Sequence, residues 1–430
     1  MEPIRQQVLR YEGIPSAELP ARLAEAFAQF SPEAPRASVI IPVFNKFEYT
    51  ARCLLSLAAL TDRTPFEIIV VDDGSTDETQ QVLAELPGLR FHRNPENLGF
   101  VDSCNAGARL ARGNYLVFLN NDTLVVPGWI EALEDTFTAR QDCGLVGSML
   151  IYPNMSLQEA GGQVFRDGSA SNRGKGQDIG DPNFNFLRPV DYCSGASIMI
   201  SAGLFKEIGE FDTRYRPAYY EDTDLAFAVR RAGLQVYYQS ASKVVHFEGI
   251  TAGKNTSQGV KAFQVTNRLR FCEKWKDVLA RQPERYELSK DQVLGGAAGR
   301  ILVIDNQTPK PDRDSGSLDM FNTLRIMARL GYVVDYLPLY RPKFVPRYTS
   351  MLQKEGIRCL HRPYFLTLRR FLKQNQGFDI VFISRIKIIK KAYGLVRRLA
   401  PKAKIIFNTV DLNFLRVGRG ASVEHSRKLQ

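Results

Sequence analysis

The chain has 430 residues, 44% hydrophobic and 24% charged, a balance that excludes wholesale disorder and provides enough length for two or three domains. Its net charge of +11 is unevenly spread, with 26 Lys and Arg against 9 Asp and Glu in residues 300–430, and 31 against 37 in residues 1–299. The N-terminal MEPIRQQVLRYEG has no apolar leader and no run of about 18 apolar residues exists to span a bilayer, so a cytoplasmic protein is expected.

Residues 1–36 read as an N-terminal extension of one or two amphipathic helices, including 21–30 just after Pro20, closed by SPEAPR. From Ser38 the chain alternates short β-rich runs with helical ones: SVIIPVF, YTARCLLSLAAL, FEIIVVDDG, DETQQVLAEL, LRFHRN, VDSCNAGARLA and NYLVFLNND. That alternation predicts a parallel sheet covered by helices, with ligands beyond the carboxyl ends of the strands. A helix in GWIEALEDTF and a strand in CGLVGSML follow. Residues 152–187, rich in Gly, Asn and Asp, are expected as a polar, mobile or substrate-covering loop outside the core. The runs CSGASIMIS, a helix over 221–232, LQVYYQ, KVVHFEG and a helical tail complete a first domain over 37–288. A linker at 289–298 precedes a second α/β unit over 299–430, where the alternation restarts with RILVIDN and runs to AKIIFNTVD. The six cysteines show no CxxC or other metal-type spacing, which predicts reduced, structural thiols.

Three strand ends in the first domain carry polar groups where an open α/β sheet places its site. They are Pro42-Val43-Phe44-Asn45, Asp72-Asp73-Gly74-Ser75 and Asn120-Asn121-Asp122. Each alone is also ordinary turn or capping chemistry, and the single carboxylate of FLNNDT is a thin basis for a cation site. The carboxylates of Glu221, Asp222 and Asp224 open a helix, where acids oppose the dipole and cap free N–H groups. His246, after an apolar run in VVHFEG, has the setting of a satisfied core histidine.

The ordered set SVIIPVFN, VVDDGSTDET, NPENLGF, FLNNDT, GEFD and YYEDTDLAFAVRRAG resembles the family-two glycosyltransferases of the GT-A fold, over roughly residues 37–275. These enzymes transfer a sugar from a nucleotide diphosphate donor. The resemblance implies that Pro42, Phe44 and Asp73 hold the nucleoside, with Phe44 stacking on the base and Asp73 accepting the imide N–H of uracil or thymine. It further places Asn97, Gly99 and Asn105 beside the phosphates, at a helix start that favours anions. FLNNDT stands where the family has a DxD motif. Asp122 is its remaining acid and is expected to bind Mg2+ or Mn2+, with Asn120 and Asn121 on the ribose hydroxyls. His246 matches a strand-end histidine that reaches the metal or diphosphate in some relatives. The resemblance selects Asp222 as general base of an inverting transfer, with Glu221 and Asp224 binding the acceptor or positioning the helix.

The implied donor is a UDP- or dTDP-linked sugar, and the implied acceptor a hydroxyl of a glycan or lipid-linked saccharide in cell-surface polysaccharide synthesis. A degenerate transferase that binds sugar nucleotide or glycan without turnover is the alternative. Nucleotidyl transfer is disfavoured because PVFNKFEY stands where its Gly-rich basic loop belongs. The segments RILVIDNQTPKPDRDSGS, FDIVFIS and KIIFNTVDLNFLR resemble the Rossmann-like N-terminal half of family-four GT-B glycosyltransferases. That resemblance implies a truncated unit, and the chain is expected to be a fragment of a longer transferase. The basic charge there suits an anionic lipid-linked acceptor or peripheral contact with the inner membrane face; no nucleic-acid motif accompanies it.

Overall fold

A computed structural model of the protein describes residues 2–249, 263–285 and 297–409. The chain divides into two compact units, residues 1–288 and 289–430. Most of the expected linker at 289–298 and all of 410–430 lie outside the described residues.

The first unit contains twelve strands among its described residues. They are β1 (Ala37–Val43), β2 (Phe66–Asp72), β3 (Leu89–Arg93), β4 (Tyr115–Leu119), β5 (Thr123–Val125), β6 (Cys143–Ile151), β7 (Leu157–Glu159), β8 (Gly162–Val164), β9 (Ala170–Asn172), β10 (Arg188–Pro189), β11 (Ser197–Ser201) and β12 (Gln235–His246). The main sheet runs β10-β12-β6-β11-β4-β1-β2-β3, with β5 paired to β12 and β7 to β6. Strands β1 to β4 are mutually parallel, while β11 runs antiparallel between β4 and β6. Continuous apolar runs such as Val39–Ile41 and Ile68–Val71 are what a sheet covered on both faces requires, and all of these side chains are buried. The helix Phe100–Leu110 packs so closely on this sheet that a Cβ at Gly107 would stand 2.5 Å from Ile40 Cγ2.

The N-terminal extension forms helices Glu2–Glu12 and Leu19–Phe27. The second starts two residues earlier than the sequence suggests, because Pro20 is tolerated in a first helical turn. Leu19, Leu23 and Phe27, spaced by four, are wholly buried on the helix Phe47–Ala58.

Two expectations need correction. Residues 152–187 are not a loop outside the core: they contain β7 and the β8–β9 hairpin, and bury Leu157, Gln158, Glu159, Val164, Phe165 and Ile179. Strands of three residues between tight turns leave no periodic signal, and their buried polar groups find partners inside the fold. LQVYYQ and KVVHFEG belong to one strand, β12, which shifts register against β6 between Gln239 and Lys243. The polar QSAS that separates them in sequence is accommodated internally. Ser242 Oγ lies 2.8 Å from Ser148 Oγ, itself 2.7 Å from Ser197 Oγ, which accepts from Trp129 Nε1 at 3.0 Å.

The second unit is a five-stranded parallel sheet of β13 (Gly299–Asp305), β14 (Tyr332–Pro338), β15 (Ile357–Cys359), β16 (Ile380–Ser384) and β17 (Lys404–Asn408), in the order β15-β14-β13-β16-β17. Alternate residues of β13 feed two cores. Leu302 and Ile304 meet the helices Leu368–Gln374 and Ile386–Leu399, whereas Ile301 and Val303 meet Ser315–Arg329 and Pro346–Lys354. No helix among the described residues is long and apolar enough to cross a membrane.

Candidate active site

The carboxyl ends of β1 and β2 are laced into one platform. Asp73 N–H donates to Val43 O at 2.7 Å, Asn45 N–H to Ser75 Oγ at 2.7 Å, and Thr76 N–H to Asn45 Oδ1 at 2.7 Å. Asn45 and Lys46 have positive φ, a conformation that these cross-links hold in place. Phe44 and Pro42 remain half-buried on this platform. Asp73 is buried, and its carboxylate accepts from Asn94 Nδ2 at 2.7 Å, Leu98 N at 2.9 Å and Gly99 N at 2.8 Å. It therefore organises the turn that carries Asn97, which is itself exposed.

Gly99 has φ of +90°, and a Cβ there would lie 2.6 Å from Pro217 Cβ and 2.8 Å from Pro217 O. Only glycine lets this turn meet the loop before the helix Glu221–Arg231. Asn105, expected beside the phosphates, spends both ends of its amide on the main chain of Phe211, at 2.9 and 3.1 Å. Its observed role is to clamp the GEFD segment, because a buried amide in a helix interior must find partners within the protein.

FLNNDT links β4 to β5. Asp122 Oδ1 lies 3.2 Å from His246 Nε2, and Asn120 Nδ2 lies 3.4 Å from the same nitrogen. Pairing of β5 with β12 sets this geometry, since it puts Thr123 opposite His246. Burial depresses the imidazole pKa, but the Asp122 carboxylate, together with Glu248 and Glu159, outweighs it and the pKa is raised. The other ring nitrogen, Nδ1, is 3.2 Å from Gln158 Oε1, and Gln158 Nε2 donates to Glu248 Oε2 at 3.1 Å. Asn121 turns inward and donates to Thr50 Oγ1 at 3.0 Å. Among the described residues no group of three or more His, Cys, Asp and Glu is placed to hold a metal. Asp122 and His246 form a two-ligand corner, which suits a divalent cation completing its shell from phosphate and water.

Asp222 is half-buried. Gly195 N–H donates to its Oδ2 at 3.0 Å, and Thr223 N–H to its Oδ1 at 2.6 Å. Burial raises its pKa above the ordinary carboxylate value, and those N–H groups hold it partly back. Glu221 is buried, one oxygen lacks a hydrogen-bond partner, and burial together with Asp222 pushes its carboxyl well up. Asp224 is spoken for from three sides: it accepts from Tyr215 Oη at 3.0 Å, Trp275 Nε1 at 2.7 Å and Lys274 Nζ at 2.7 Å. Its position corresponds to fastening the helix Phe263–Lys274 behind the site. From that helix Asn267 Nδ2 donates to the carbonyls of Tyr215, Ala218 and Tyr219 at 2.8–3.0 Å. Those bonds hold Tyr219 and Tyr220 at positive φ, and so fix where Asp222 emerges.

Several residues of the site left no motif in the sequence. Ser194 N–H donates to Glu159 Oε1 at 2.9 Å, the next amide holds Asp222, and Ala196 O accepts Asn120 N–H at 3.1 Å. One three-residue turn thus joins the base candidate, the FLNNDT corner and a second acid. Glu159 is wholly buried with an unpartnered oxygen, and burial pushes its pKa up to about 8. Gln158 and Glu159 sit side by side on β7, in the stretch that read as an external loop. A buried Gln-Glu pair within a polar segment was the available signal, but it was indistinguishable from turn composition.

Residues 38–209 match the family described as Glycosyl transferase family 2, so this part of the first unit is a glycosyltransferase domain. The O-antigen biosynthesis protein RfbC of Myxococcus xanthus is 28% identical over 225 residues, covering 50% of this chain and 17% of that protein. The N-acetylglucosaminyl-diphospho-decaprenol L-rhamnosyltransferase of Mycobacterium tuberculosis is 26% identical over 250 residues, covering 52% of this chain and 80% of that one. The crystal structure of GalNAc-T7 with UDP, GalNAc and Mn2+ superposes with a TM-score of 0.47 at 16% identity, covering 56% of this chain and 49% of that one.

Proposed function

We propose that the first unit transfers a glycosyl group, with inversion, from a UDP- or dTDP-linked sugar to a hydroxyl of a glycan or lipid-linked saccharide acceptor in cell-surface polysaccharide synthesis. One observation carries the reading: the raised-pKa carboxylate of Asp222 and the Asp122–His246 corner are tied to the same 194–196 turn. The names of the bacterial relatives, which concern O-antigen synthesis and rhamnosyl transfer to a lipid diphosphate, support the acceptor class.

In this mechanism Asp222 takes the proton of the acceptor hydroxyl as C1 of the sugar is attacked from the opposite side to the departing diphosphate. A carboxylate whose pKa is raised by burial is a better base than an exposed one, and its N–H partners keep it oriented. Glu221 and the Tyr219–Tyr220 segment border the acceptor side. Asp73 supports the donor platform through the 97–99 turn and faces the nucleoside, with Phe44 and Pro42 against the base. Asn120 presents its amide to the ribose, and Asn121 holds the FLNNDT turn on Thr50. Asp122 and His246 would hold Mg2+ or Mn2+, which when bound supplies positive charge to the leaving diphosphate. The second unit is proposed as the N-terminal half of a GT-B-type arrangement acting in acceptor docking, and peripheral contact with an anionic membrane belongs to the same reading.

The test is Asp222→Asn, which keeps the side chain's size and lets its one amide oxygen accept from Thr223 or Gly195 N–H while removing the base. Transfer should fall by about 10²–10⁴-fold, with donor binding by calorimetry unchanged. Equal turnover by variant and parent would exclude Asp222 as the base. A panel of nucleotide sugars, scored by thermal stabilisation, tests the donor class.

A further inference from the structure

The two helical layers of the second unit carry very different surfaces. On one layer the arginines are matched: Arg325 lies 3.0 Å from Glu355, Arg329 is 4.0 Å from the same carboxylate, and Arg347 is 3.1 Å from Asp312. On the other layer the helices Leu368–Gln374 and Ile386–Leu399 contain eight Lys and Arg and no acid. Across residues 366–404 the sequence holds 11 basic residues against Asp379 alone.

The two helices share one apolar core through Leu368, Phe371, Leu372, Ile388, Ala392 and Val396. Burying that stripe turns the opposite face outward, since residues three and four apart share a helix side. Arg369, Arg370, Lys373, Lys387, Lys390, Arg397 and Arg398 are all exposed, and none pairs with an acid among the described residues. Interleaved with them are exposed apolar side chains: Ile386 at 37%, Tyr393 at 47% and Leu366 at 51% exposure. Ile386 and Tyr393 are seven residues apart and so lie on one side of their helix, next to Lys390 and Arg397.

We propose that this face is a docking surface for an anionic phospholipid bilayer. Charge complementarity selects an anionic partner, and uncompensated like charges on adjacent helices repel one another until such a partner neutralises them. The apolar residues within the charged face select lipid over nucleic acid. An aliphatic and a tyrosyl side chain flanked by cations can enter the headgroup boundary while the charges meet phosphates. The inference deepens the proposed membrane contact of the transferase by assigning it to named residues, yet its test needs no turnover.

The experiment is co-sedimentation of the full chain with phosphatidylcholine vesicles, with and without phosphatidylglycerol. Binding should require the anionic lipid and weaken with salt. Each basic residue near such a surface contributes about fivefold, so Lys387→Ser/Lys390→Ser/Arg397→Ser should lower partitioning roughly 100-fold. Ile386→Ser/Tyr393→Ser should lower it further without altering charge, while Arg325→Ser/Arg329→Ser on the opposite layer should not. Circular dichroism verifies that each variant is folded. Equal binding to neutral vesicles, an unaffected triple variant, or an unaffected Ile386→Ser/Tyr393→Ser variant with release by single-stranded RNA would overturn the assignment. Loss of vesicle binding with transfer to a soluble acceptor intact would support the surface independently of the Asp222 mechanism.

Discussion

Replacing Glu159 by Gln removes one titrating proton from the centre of the site at almost constant volume. Burial moves the Glu159 carboxyl from the ordinary 4.5 to about 8, with the Ser194 N–H pulling it down and the Asp222 charge pushing it up. In the unfolded chain the same group loses its proton near the ordinary value, so between these two pH values the folded state binds the extra proton. A pKa raised by folding contributes stability that is complete below the unfolded pKa and is lost as pH climbs through the folded one. At about 1.4 kcal/mol per pH unit, the window from 4.5 to about 8 corresponds to about 5 kcal/mol, with about 3 kcal/mol of it gone at neutral pH. Glutamine has no such dependence, so the stability of Glu159→Gln relative to the parent should rise steadily from acid to about pH 8 and then level off. Glu221 and Asp222 titrate in both proteins and largely cancel in the difference. Urea unfolding followed by tryptophan fluorescence is the appropriate assay, since both tryptophans, Trp129 and Trp275, lie in the first unit. A stability difference independent of pH would refute the reasoning and place a charged, solvated carboxylate at Glu159.

Asp122→Asn should weaken Mn2+ binding at least tenfold when measured by paramagnetic resonance, with His246→Ala acting in the same direction; full-strength binding in both would dismiss the two-ligand corner. Gly99→Ala brings a Cβ to 2.8 Å from a backbone oxygen at φ of +90°, and should cost about 2–4 kcal/mol in unfolding experiments. Asp224→Leu leaves Lys274 with Asp212 alone, at 2.8 Å, and strips the Trp275 indole and the Tyr215 hydroxyl of their acceptor. It should cost about 2–4 kcal/mol and shift Trp275 emission, whereas an unchanged spectrum would separate that carboxylate from the helix behind the site.

The parallel part of the main sheet, β1 to β4, was legible in the sequence because its central strands are apolar on both faces and end in polar turns, a local pattern that survives without knowledge of tertiary contacts; the antiparallel insertion of β11 between β4 and β6 was not. The three strand-end motifs, the helix opened by Glu221 and the restart of alternation near residue 299 were readable for the same reason. The polar 152–187 region was not, because its burial depends on partners remote in sequence. Gln158 meets His246 across 88 residues, and Glu159 meets Ser194 across 35. Asp224 and Asn105 show the converse limit. Their residue types suit ligand binding, but whether their donors and acceptors remain available depends on Trp275, Lys274 and Phe211, which the fold brings to them.

By itself, the sequence determined the α/β alternation, the order of the polar strand ends and the excess of basic charge after residue 300, since each follows from local periodicity or simple counting. Only the tertiary structure decided which carboxylates are spent on the protein itself and which remain for chemistry. Hydrogen bonding and burial of an ionisable group are fixed by neighbours that the chain supplies from a distance. The same holds for the charge of the second unit: composition gave its sign, and packing of the helices Leu368–Gln374 and Ile386–Leu399 on one sheet face turned their exposed cations outward, away from any acid among the described residues.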